Sequence, residues 1–371
     1  MSARVLLTVS GTIAPGMADE VARGLRPRRD YFELARAFAA DLIDVAGARV
    51  ALGRFGDVLH RVGGPGLLLG WYCFRRRHAY DVIFTDGEQV GLPLAALFAL
   101  GASRNRPRHL MIGHRMTAAK KAFLLDRFGL QRWIDQIFVY ASSQQRTLIE
   151  RWGLSEERAI YTPFMVDSRF FHPGAVQPRT GAKPLISSAG LEWRDYPTMM
   201  EAVRELDINV AIAAASPWSK RPDSTAEAEI PANVTVKRLS QYDLRQLYAD
   251  SAFVVMPLAE VDFQAGVTAI LEAMAMGKAV ICSRTSGQTD VIVDGVNGMY
   301  VPSGDPIALR AAINHLLAHP DKAAQMGRVG RQLVEESQSL DRYTQRLATY
   351  VQAAGTTYQG KHSVTKGELA R

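Results

Sequence analysis

Hydrophobic positions along the chain fall into short apolar runs separated by longer stretches with helical spacing. Strands that alternate with helices are typical of βαβ units, so the pattern predicts parallel sheets in an α/β fold. Several runs are apolar at every position, which indicates strands covered on both faces. The predicted strands are residues 5–9, 48–55, 80–85, 108–114, 135–141, 185–190, 208–215, 234–239, 252–258 and 278–283.

One proline-rich segment interrupts this alternation. Residues 162–184 carry four prolines and two glycines without sustained periodicity, which is typical of an interdomain linker. The chain of 371 residues is also longer than the roughly 250–300 residues at which single cores split. We therefore predict two Rossmann-like domains that face each other across a cleft. The predicted parts are a first domain (1–163), a linker (164–184), a second domain (185–337), a helix packing back on the first domain (338–355) and a loose tail (356–371).

Composition places the chain among ordinary globular proteins. It is 47% hydrophobic and 22% charged, as expected for a soluble protein. Its two cysteines, Cys73 and Cys282, make no disulfide framework, and no Cys/His spacing resembles a zinc site. The first residues enter an apolar strand without the basic-then-apolar pattern of a signal peptide, so we expect a cytoplasmic location.

Positive charge is concentrated in the first half of the chain. Residues 1–180 contain 25 Lys and Arg against 16 Asp and Glu, whereas the remainder contains 19 against 21. Such a distribution suggests an anionic partner, either a membrane surface, a nucleic acid or a phosphorylated acceptor, although a solvated arginine-rich surface would give the same counts. Of these partners, we expect no nucleic acid.

The segment Leu67–Arg77 sets an apolar run against three consecutive arginines. It is far shorter than the roughly 20 residues that span a bilayer. One interpretation places it in the headgroup region at the inner face of a membrane, with Trp71 and Tyr72 at the interface. The other is a buried helix with a basic end.

Residues 263–281, FQAGVTAILEAMAMGKAVI, are the strongest candidate for a binding site. Open α/β sheets bind ligands beyond the carboxyl ends of their strands. Ala265 and Gly266 let the backbone approach a ligand, and the helix that follows offers unpaired N–H groups to a phosphate or to sugar hydroxyls. Glu272 lies two turns into that helix among apolar neighbours. If it is buried it needs a partner, for which a ribose diol is suitable.

This stretch, together with residues 240–258 and 289–313, resembles the donor-binding half of the family 4 retaining glycosyltransferases, within glycosyl transferases group 1. The resemblance runs from about Tyr161 to Val351, with ordered blocks at consistent separations. It implies the GT-B fold, with an acceptor-binding first domain and a donor-binding second domain. It also implies transfer of a sugar from a nucleotide diphosphate sugar to a hydroxyl acceptor, with retention, in glycan, glycolipid or polysaccharide biosynthesis.

The family motif contains two glutamates separated by seven residues. Glu272 takes the second place, which implies hydrogen bonds to the ribose, and Gln264 takes the first, where the family has a glutamate near the donor sugar. An amide can bind a sugar but cannot carry negative charge or act as a base. In the family's mechanism the leaving phosphate assists the attacking hydroxyl, so Gln264 need not abolish catalysis. The backbone expected to hold sugar and diphosphate is that of Ala265, Gly266, Val267 and Thr268.

Residues 188–203 resemble the phosphate-binding block of the family, which pairs an arginine with a lysine. Here Leu191 follows Gly190, and Arg194 is the nearby cation. We assign the lysine role to Arg194, which would neutralise the diphosphate of the leaving group, although a surface residue at a helix start is the alternative. Lys220, Arg221 or a residue of the first domain would supply the missing cation.

Three loops complete the expected donor site. Gly11 and Thr12 resemble the glycine-bearing first loop that approaches the diphosphate, and Leu239 and Ser240 match the place where the family backbone reads the base. His114 follows a predicted strand, where the family commonly has a histidine that contacts the donor sugar. A structural role for a lone histidine at this place is the alternative.

Two acids follow the strand at residues 80–85. Asp86 and Glu88 would bind a divalent metal or orient an acceptor hydroxyl, or else belong to a turn and helix cap. With Arg115 and Lys120 they are the acceptor-binding candidates. The chain contains no D-x-D triplet, so we expect no metal and no cofactor, the diphosphate being held by cations and a helix dipole.

Two other functions stay open. One is a sugar-nucleotide epimerase or a phosphorylase on a related fold. The other is a catalytically weak nucleotide-sugar-binding partner protein, which Gln264 and Leu191 keep possible. A dehydrogenase is disfavoured because GxGxxG does not follow the first strand of either half.

Overall fold

The computed structural model describes residues 3–101, 106–179, 181–214 and 230–368, with side chains to residue 358. The chain divides into two compact units, and each contains a six-stranded sheet whose described strands pair in parallel. The first domain comprises Met1–Ala18, Arg29–Pro163 and Thr344–Arg371, and the second comprises Asp19–Arg28 and Phe164–Tyr343. The predicted α/β class with two parallel sheets is confirmed.

The sheet of the first domain has the order β2-β1-β3-β4-β5-β6. Strands β1 and β3 are buried at every position, as expected for strands covered by helices on both faces. The strands are β1 (Val5–Val9), β2 (Asp41–Asp44), β3 (Val82–Thr85), β4 (Arg108–Gly113), β5 (Gln136–Val139) and β6 (Ala159–Tyr161). The helices are α2 (Asp30–Phe38), α3 (Val45–Arg76), α4 (Glu88–Gly101), α5 (Ala119–Phe128), α6 (Ser142–Trp152) and α12 (Leu340–Glu368), and α1 (Met17–Ala22) spans the first boundary between the domains.

The sheet of the second domain has the order β12-β11-β10-β7-β8-β9. Its strands are β7 (Leu185–Ala189), β8 (Asn209–Ala213), β9 (Val234–Lys237), β10 (Val254–Met256), β11 (Val280–Arg284) and β12 (Gly298–Pro302). Its helices are α7 (Tyr196–Val203), α8 (Gln241–Asp250), α9 (Val267–Ala275), α10 (Pro306–Ala318) and α11 (Pro320–Leu333). Loops after β7, β9 and β10 carry the residues that the sequence assigns to the donor.

The strand predicted at residues 48–55 is wrong, because these residues lie in α3, which is kinked at Gly53 and Gly64. The carboxylate of Asp44 accepts the backbone N–H of Gly47 at 2.7 Å and so caps the start of this helix. Only one side of the run faces the core: Ala48 is buried, whereas Val50 is 84% exposed. Strands β2, β6 and β12 were not predicted: β2 has an aspartate at each end, β6 has only three residues, and β12 begins with Gly298 and ends with Pro302.

The predicted linker is packed into the second domain. Its prolines remove regular periodicity, but Phe170 and Phe171 are buried in the core of that domain. Asp167 receives hydrogen bonds from the guanidinium of Arg28, which also pairs with Asp341. Residues 19–28 therefore belong to the second domain, an assignment that depends on contacts distant in sequence.

The last helix returns to the first domain from Thr344 onwards. Tyr350 packs edge-on against Phe138, with ring centroids 5.2 Å apart. The helix continues through Glu368, into the segment predicted to be loose. Residues 356–368 lack apolar periodicity, so the sequence pattern does not mark them as helical. Among the described helices, none combines the length and apolarity needed to cross a membrane.

Candidate functional site

Glu272 is a buried carboxylate in the helix that follows the Gly266 turn. Gly266 has a φ of 79°, a left-handed conformation that favours glycine, and α9 begins at the next residue. Glu272 is 6% exposed, and the hydroxyl of Tyr248 donates a hydrogen bond to its Oε2 at 3.1 Å. Burial and the nearby Glu272 raise the pKa of Tyr248, so this hydroxyl remains a donor. Since a carboxylate has about four acceptor positions, Glu272 can also hold a diol.

Arg194 lies against the two glycines of the expected phosphate site. Its Nε donates to the carbonyl of Ala189 at 2.9 Å and its Nη1 to that of Glu192 at 2.8 Å. A Cβ atom at Gly266 would lie 3.4 Å from Nη1, and one at Gly190 would clash with the guanidinium. Burial lowers the pKa of Arg194, yet an arginine stays charged in proteins. A positive charge therefore lies beside the N-terminus of α9, which is an arrangement suited to phosphate.

Main-chain pairing holds Arg194 in this place. Arg194 forms an antiparallel bridge with Leu258, directly after β10. The ring of Trp193 packs edge-on against Phe263, with centroids 5.9 Å apart. Trp193 has a φ of 61°, which is strained for a residue with a side chain. The loop after β7 and the turn before α9 are thus one packed unit.

The structure says less about three other donor-site candidates, Leu191, Leu239 and Ser240. Leu191 packs against the apolar core of the second domain, which accounts for an apolar residue where the family has a cation. The Ser240 hydroxyl caps α8 by accepting the N–H of Asp243 at 3.1 Å, so only the backbone of Leu239 and Ser240 remains for a base. Lys220 and Arg221, the candidates for the second cation, lie outside the described residues.

Gln264 contacts a carboxylate that the sequence analysis missed. Its Nε2 donates to Oδ2 of Asp290 at 3.1 Å, while its Oε1 is buried without a hydrogen-bond partner among the described residues. Asp290 belongs to the block at 289–313 that resembles the family. Its position in that block could have identified Asp290 as a candidate site residue. The local sequence pattern, however, does not indicate that it contacts Gln264.

In the first domain, Asp86 connects the ends of β1 and β3. It accepts hydrogen bonds from Thr8 Oγ1 at 2.8 Å and from the N–H and hydroxyl of Ser10 at 2.6 and 2.7 Å. Burial raises the pKa of Asp86, although these hydrogen bonds oppose the shift. Gly11 follows directly, with its carbonyl bound by the N–H of Val45, and Thr12 is exposed. Asp86 therefore fixes the shape of the loop that carries Gly11.

Glu88, the first residue of α4, is only 2% exposed. It accepts hydrogen bonds from the backbone N–H groups of His114 and Arg115 and pairs with the ammonium of Lys121. Burial alone would raise the pKa of Glu88, but His114 and Lys121 together hold it below its usual value. Asp86 and Glu88 are thus engaged within the domain, at a turn and a helix start, which is the alternative that the sequence left open.

His114 is exposed after β4, and its Nε2 lies 2.8 Å from the carbonyl oxygen of Asp86. Its ring packs against that of Tyr140. Lys120 is exposed on α5. The structure therefore brings Asp86, Glu88, His114 and Arg115 together in one group of loops. In the described part of the chain, no group of three or more potential metal ligands is found.

The apolar part of Leu67–Arg77 belongs to the core. Leu68, Leu69 and Cys73 are fully buried in the first domain, and burial raises the pKa of the Cys73 thiol. Arg75 and Arg76 are exposed. The buried-helix interpretation therefore describes Leu68, Leu69 and Cys73, whereas Trp71 and Tyr72 are only half-buried.

Comparison with known proteins relates the second domain to a family. The family model described as Glycosyl transferases group 1 matches residues 193–319. A GDP-mannose-dependent alpha-(1-6)-phosphatidylinositol monomannoside mannosyltransferase of Mycolicibacterium smegmatis is 41% identical over 61 residues, or 16% of each chain. A D-inositol 3-phosphate glycosyltransferase of Geodermatophilus obscurus is 24% identical over 291 residues, which is 71% of this chain and 59% of that protein. The chain thus aligns with less than two thirds of either relative.

Solved structures resemble the chain over almost its whole length. Sucrose-phosphate synthase of Thermosynechococcus elongatus has a TM-score of 0.67 at 18% identity, with 98% of this chain and 100% of that chain covered. Anabaena HepE in complex with UDP-glucose has a TM-score of 0.68 at 15% identity, with 95% and 100% covered. A glycosyltransferase of Rickettsia africae gives 0.67 at 16% identity, with 95% and 99% covered. At such identities these likenesses establish the fold, which is the expected GT-B glycosyltransferase fold.

Proposed function

We propose that this protein, whose second domain belongs to the group 1 glycosyltransferase family, transfers a sugar from a nucleotide diphosphate sugar to a hydroxyl acceptor. The observation that carries the proposal is the Arg194 guanidinium beside Gly190 and the Gly266 turn, at the N-terminus of α9. The description of HepE, a structural neighbour, in complex with UDP-glucose supports a nucleotide-sugar donor.

The donor is held at the N-terminus and in the middle of α9. The diphosphate binds at the helix N-terminus, where backbone N–H groups and Arg194 offer hydrogen bonds and positive charge. The ribose diol binds to Glu272, whose carboxylate Tyr248 orients. Charge that develops on the departing diphosphate is then stabilised by groups already in place, which is the largest contribution that such a site makes to rate.

The reaction proceeds with retention and without a metal. Resemblance to family 4 supports retention, and the replacement of a glutamate by Gln264 excludes this side chain as a base. The leaving phosphate oxygen accepts the proton of the acceptor hydroxyl as the new glycosidic bond forms. Arg194 and the positive end of the α9 dipole take the place that a divalent cation has in metal-dependent transferases.

The acceptor is a hydroxyl compound carried by a lipid, and the first domain contacts the membrane that contains it. The contact surface is the exposed face of α3, where Phe55, Val58 and Val62 recur at helical spacing and are 49%, 53% and 78% exposed. Exposed Arg54 and Arg61 flank this row. An apolar row beside arginines suits the headgroup region of an anionic bilayer.

A panel of UDP-, GDP- and ADP-sugars, with and without bacterial lipid extract, tests the proposal by release of nucleoside diphosphate. We expect release with one nucleotide, dependent on acceptor, unchanged by EDTA and abolished in Glu272→Ala. Glu156→Ala, a change at an exposed glutamate of the first domain, serves as the matched control. Binding of a donor without release would favour a nucleotide-sugar-binding partner protein, and turnover without acceptor would favour an epimerase.

A further inference from the structure

The turn before α9 is held by a second loop, between β11 and β12, that carries Asp290. The N–H of Gly287 and the hydroxyl of Ser286 both donate to the carbonyl of Val261, at 3.0 and 3.1 Å. The side chain of Gln288 donates to the carbonyl of Ala265 at 2.9 Å. The loops pack so closely that a Cβ at Gly287 would clash with the Phe263 backbone. Backbone contacts therefore bring Asp290 to Gln264.

The hydrogen bond between Gln264 and Asp290 fixes the orientation of the amide. An ionised carboxylate can only accept, so the NH₂ group of Gln264 faces Asp290 Oδ2, 3.1 Å away. The carbonyl oxygen Oε1 of Gln264 then points elsewhere, and it is buried without a partner among the described residues. A buried acceptor without a donor is costly, and a ligand hydroxyl would satisfy it.

We propose that Asp290 is a positioning residue for donor-sugar recognition. By binding the NH₂ group of Gln264, it presents the carbonyl oxygen of that amide as the acceptor for one hydroxyl of the donor sugar. The amide thus provides the hydrogen-bond acceptor of the glutamate that the resembling family has at this place, without its charge. This inference rests on the proposed function, because it assumes that a nucleotide sugar binds at this turn.

The charge pattern explains why an amide stands at position 264. A glutamate there would put a second carboxylate next to Asp290, and two carboxylates that close cannot both ionise readily. One of them would take a proton or turn away. The pair of Gln264 and Asp290 avoids this repulsion between two carboxylates. A chain that carries Gln264→Glu together with Asp290→Asn would avoid it equally well.

The test exchanges the amide and the carboxylate between positions 264 and 290. Ligand binding is measured by calorimetry, in addition to turnover. The probes are UDP-glucose with UDP and GDP-mannose with GDP. The Kd of the nucleoside diphosphate divided by the Kd of its nucleotide sugar reports the sugar contact. In Asp290→Ala, which removes the acceptor of the Gln264 NH₂ group, we expect this ratio to fall about tenfold, as for one lost hydrogen bond, with the Kd for the nucleoside diphosphate unchanged. Gln264→Glu should lose the contact similarly, and the double variant Gln264→Glu/Asp290→Asn should recover it.

Asp321→Ala, at an exposed position of α11 in the same domain, is the matched control. An unchanged ratio in Asp290→Ala, or a double variant whose ratio is no higher than that of Gln264→Glu, would overturn the inference while leaving the proposed function intact. Binding of a donor without nucleotide release would overturn the proposed transfer, and the Kd ratios would still decide the role of Asp290. If neither of these pairs nor ADP-glucose with ADP binds, both ideas fail.

Discussion

The buried carboxylate of Glu88 accepts the backbone N–H of His114 at 2.9 Å. Its other oxygen accepts from Arg115 and pairs with Lys121. One side chain at the start of α4 therefore determines the path of the loop after β4. Any contact that His114 makes with a ligand depends on this buried acid, which lies 26 residues earlier in the chain.

Replacement of Glu88 by alanine should destabilise the first domain by about 2 to 4 kcal/mol, because it removes a buried charge partner and the side-chain acceptor of two backbone N–H groups. Urea denaturation measures this loss. Glu88→Gln keeps an oxygen for the N–H groups and should cost clearly less. An equal loss in both variants would show that the charge pair with Lys121, rather than the loop hydrogen bonds, accounts for the effect.

Removal of the hydroxyl in Tyr248→Phe should weaken binding of the nucleotide sugar several-fold. The tyrosine orients Glu272 through a single hydrogen bond, and such a bond contributes about 1 kcal/mol. The change should appear in the Kd for the nucleoside diphosphate as well, since the ribose is common to both ligands. Unchanged affinity would mean that Glu272 is oriented without the Tyr248 hydroxyl.

Arg194→Ala should lower kcat by about 100-fold, because a half-buried cation at the proposed diphosphate site acts mainly in the transition state. Arg194→Lys should recover part of this loss, since lysine restores the charge but not the forked geometry. Arg328→Ala, at an exposed arginine of α11, is the control. A change confined to KM would indicate that Arg194 contributes only to ground-state binding.

Introduction of charge into the exposed row of α3 should abolish vesicle binding. We expect the wild-type protein to sediment with vesicles of phosphatidylglycerol and phosphatidylcholine, less so at high salt, and Val62→Asp to remain in solution. Ile307→Asp, at an equally exposed apolar residue of the second domain, should sediment normally. Concentration-dependent dimerisation that Val62→Asp disrupts would instead identify the row as a contact between two copies of the chain.

Local features of the sequence predicted much of this architecture. The Gly266 turn and α9 were predictable because a glycine, an apolar helix and a following strand are consecutive. Residues 48–55 were misassigned because their apolar positions fit both the two-residue period of a strand and the 3.6-residue period of a helix. Only the cap at Asp44 and the exposure of Val50 favour a helix. The bond between Gln264 and Asp290 depends on loops that meet only in the folded domain.

His109 provides a pH-dependent test of the first-domain core. It is fully buried on β4 with its Nε2 3.2 Å from Thr85 Oγ1, and its Nδ1 has no partner among the described residues. Burial, with a smaller contribution from Arg106, lowers its pKa to about 3, although Asp135 opposes the shift. The folded state therefore keeps His109 neutral at pH values where the unfolded chain, with a pKa near 6.5, is protonated.

Because the unfolded state binds this proton and the folded state does not, stability should fall as pH decreases from about 6.5 towards 3. One such group changes the free energy of unfolding by up to about 1.4 kcal/mol per pH unit, or roughly 2 kcal/mol between pH 6.5 and 4.5. Asp135 has a lowered pKa and titrates below this window. In His109→Gln, which keeps a polar group near Thr85 but does not titrate, urea denaturation should show a correspondingly smaller loss over the same range. Parallel curves for the two proteins would mean that His109 is protonated in the folded state.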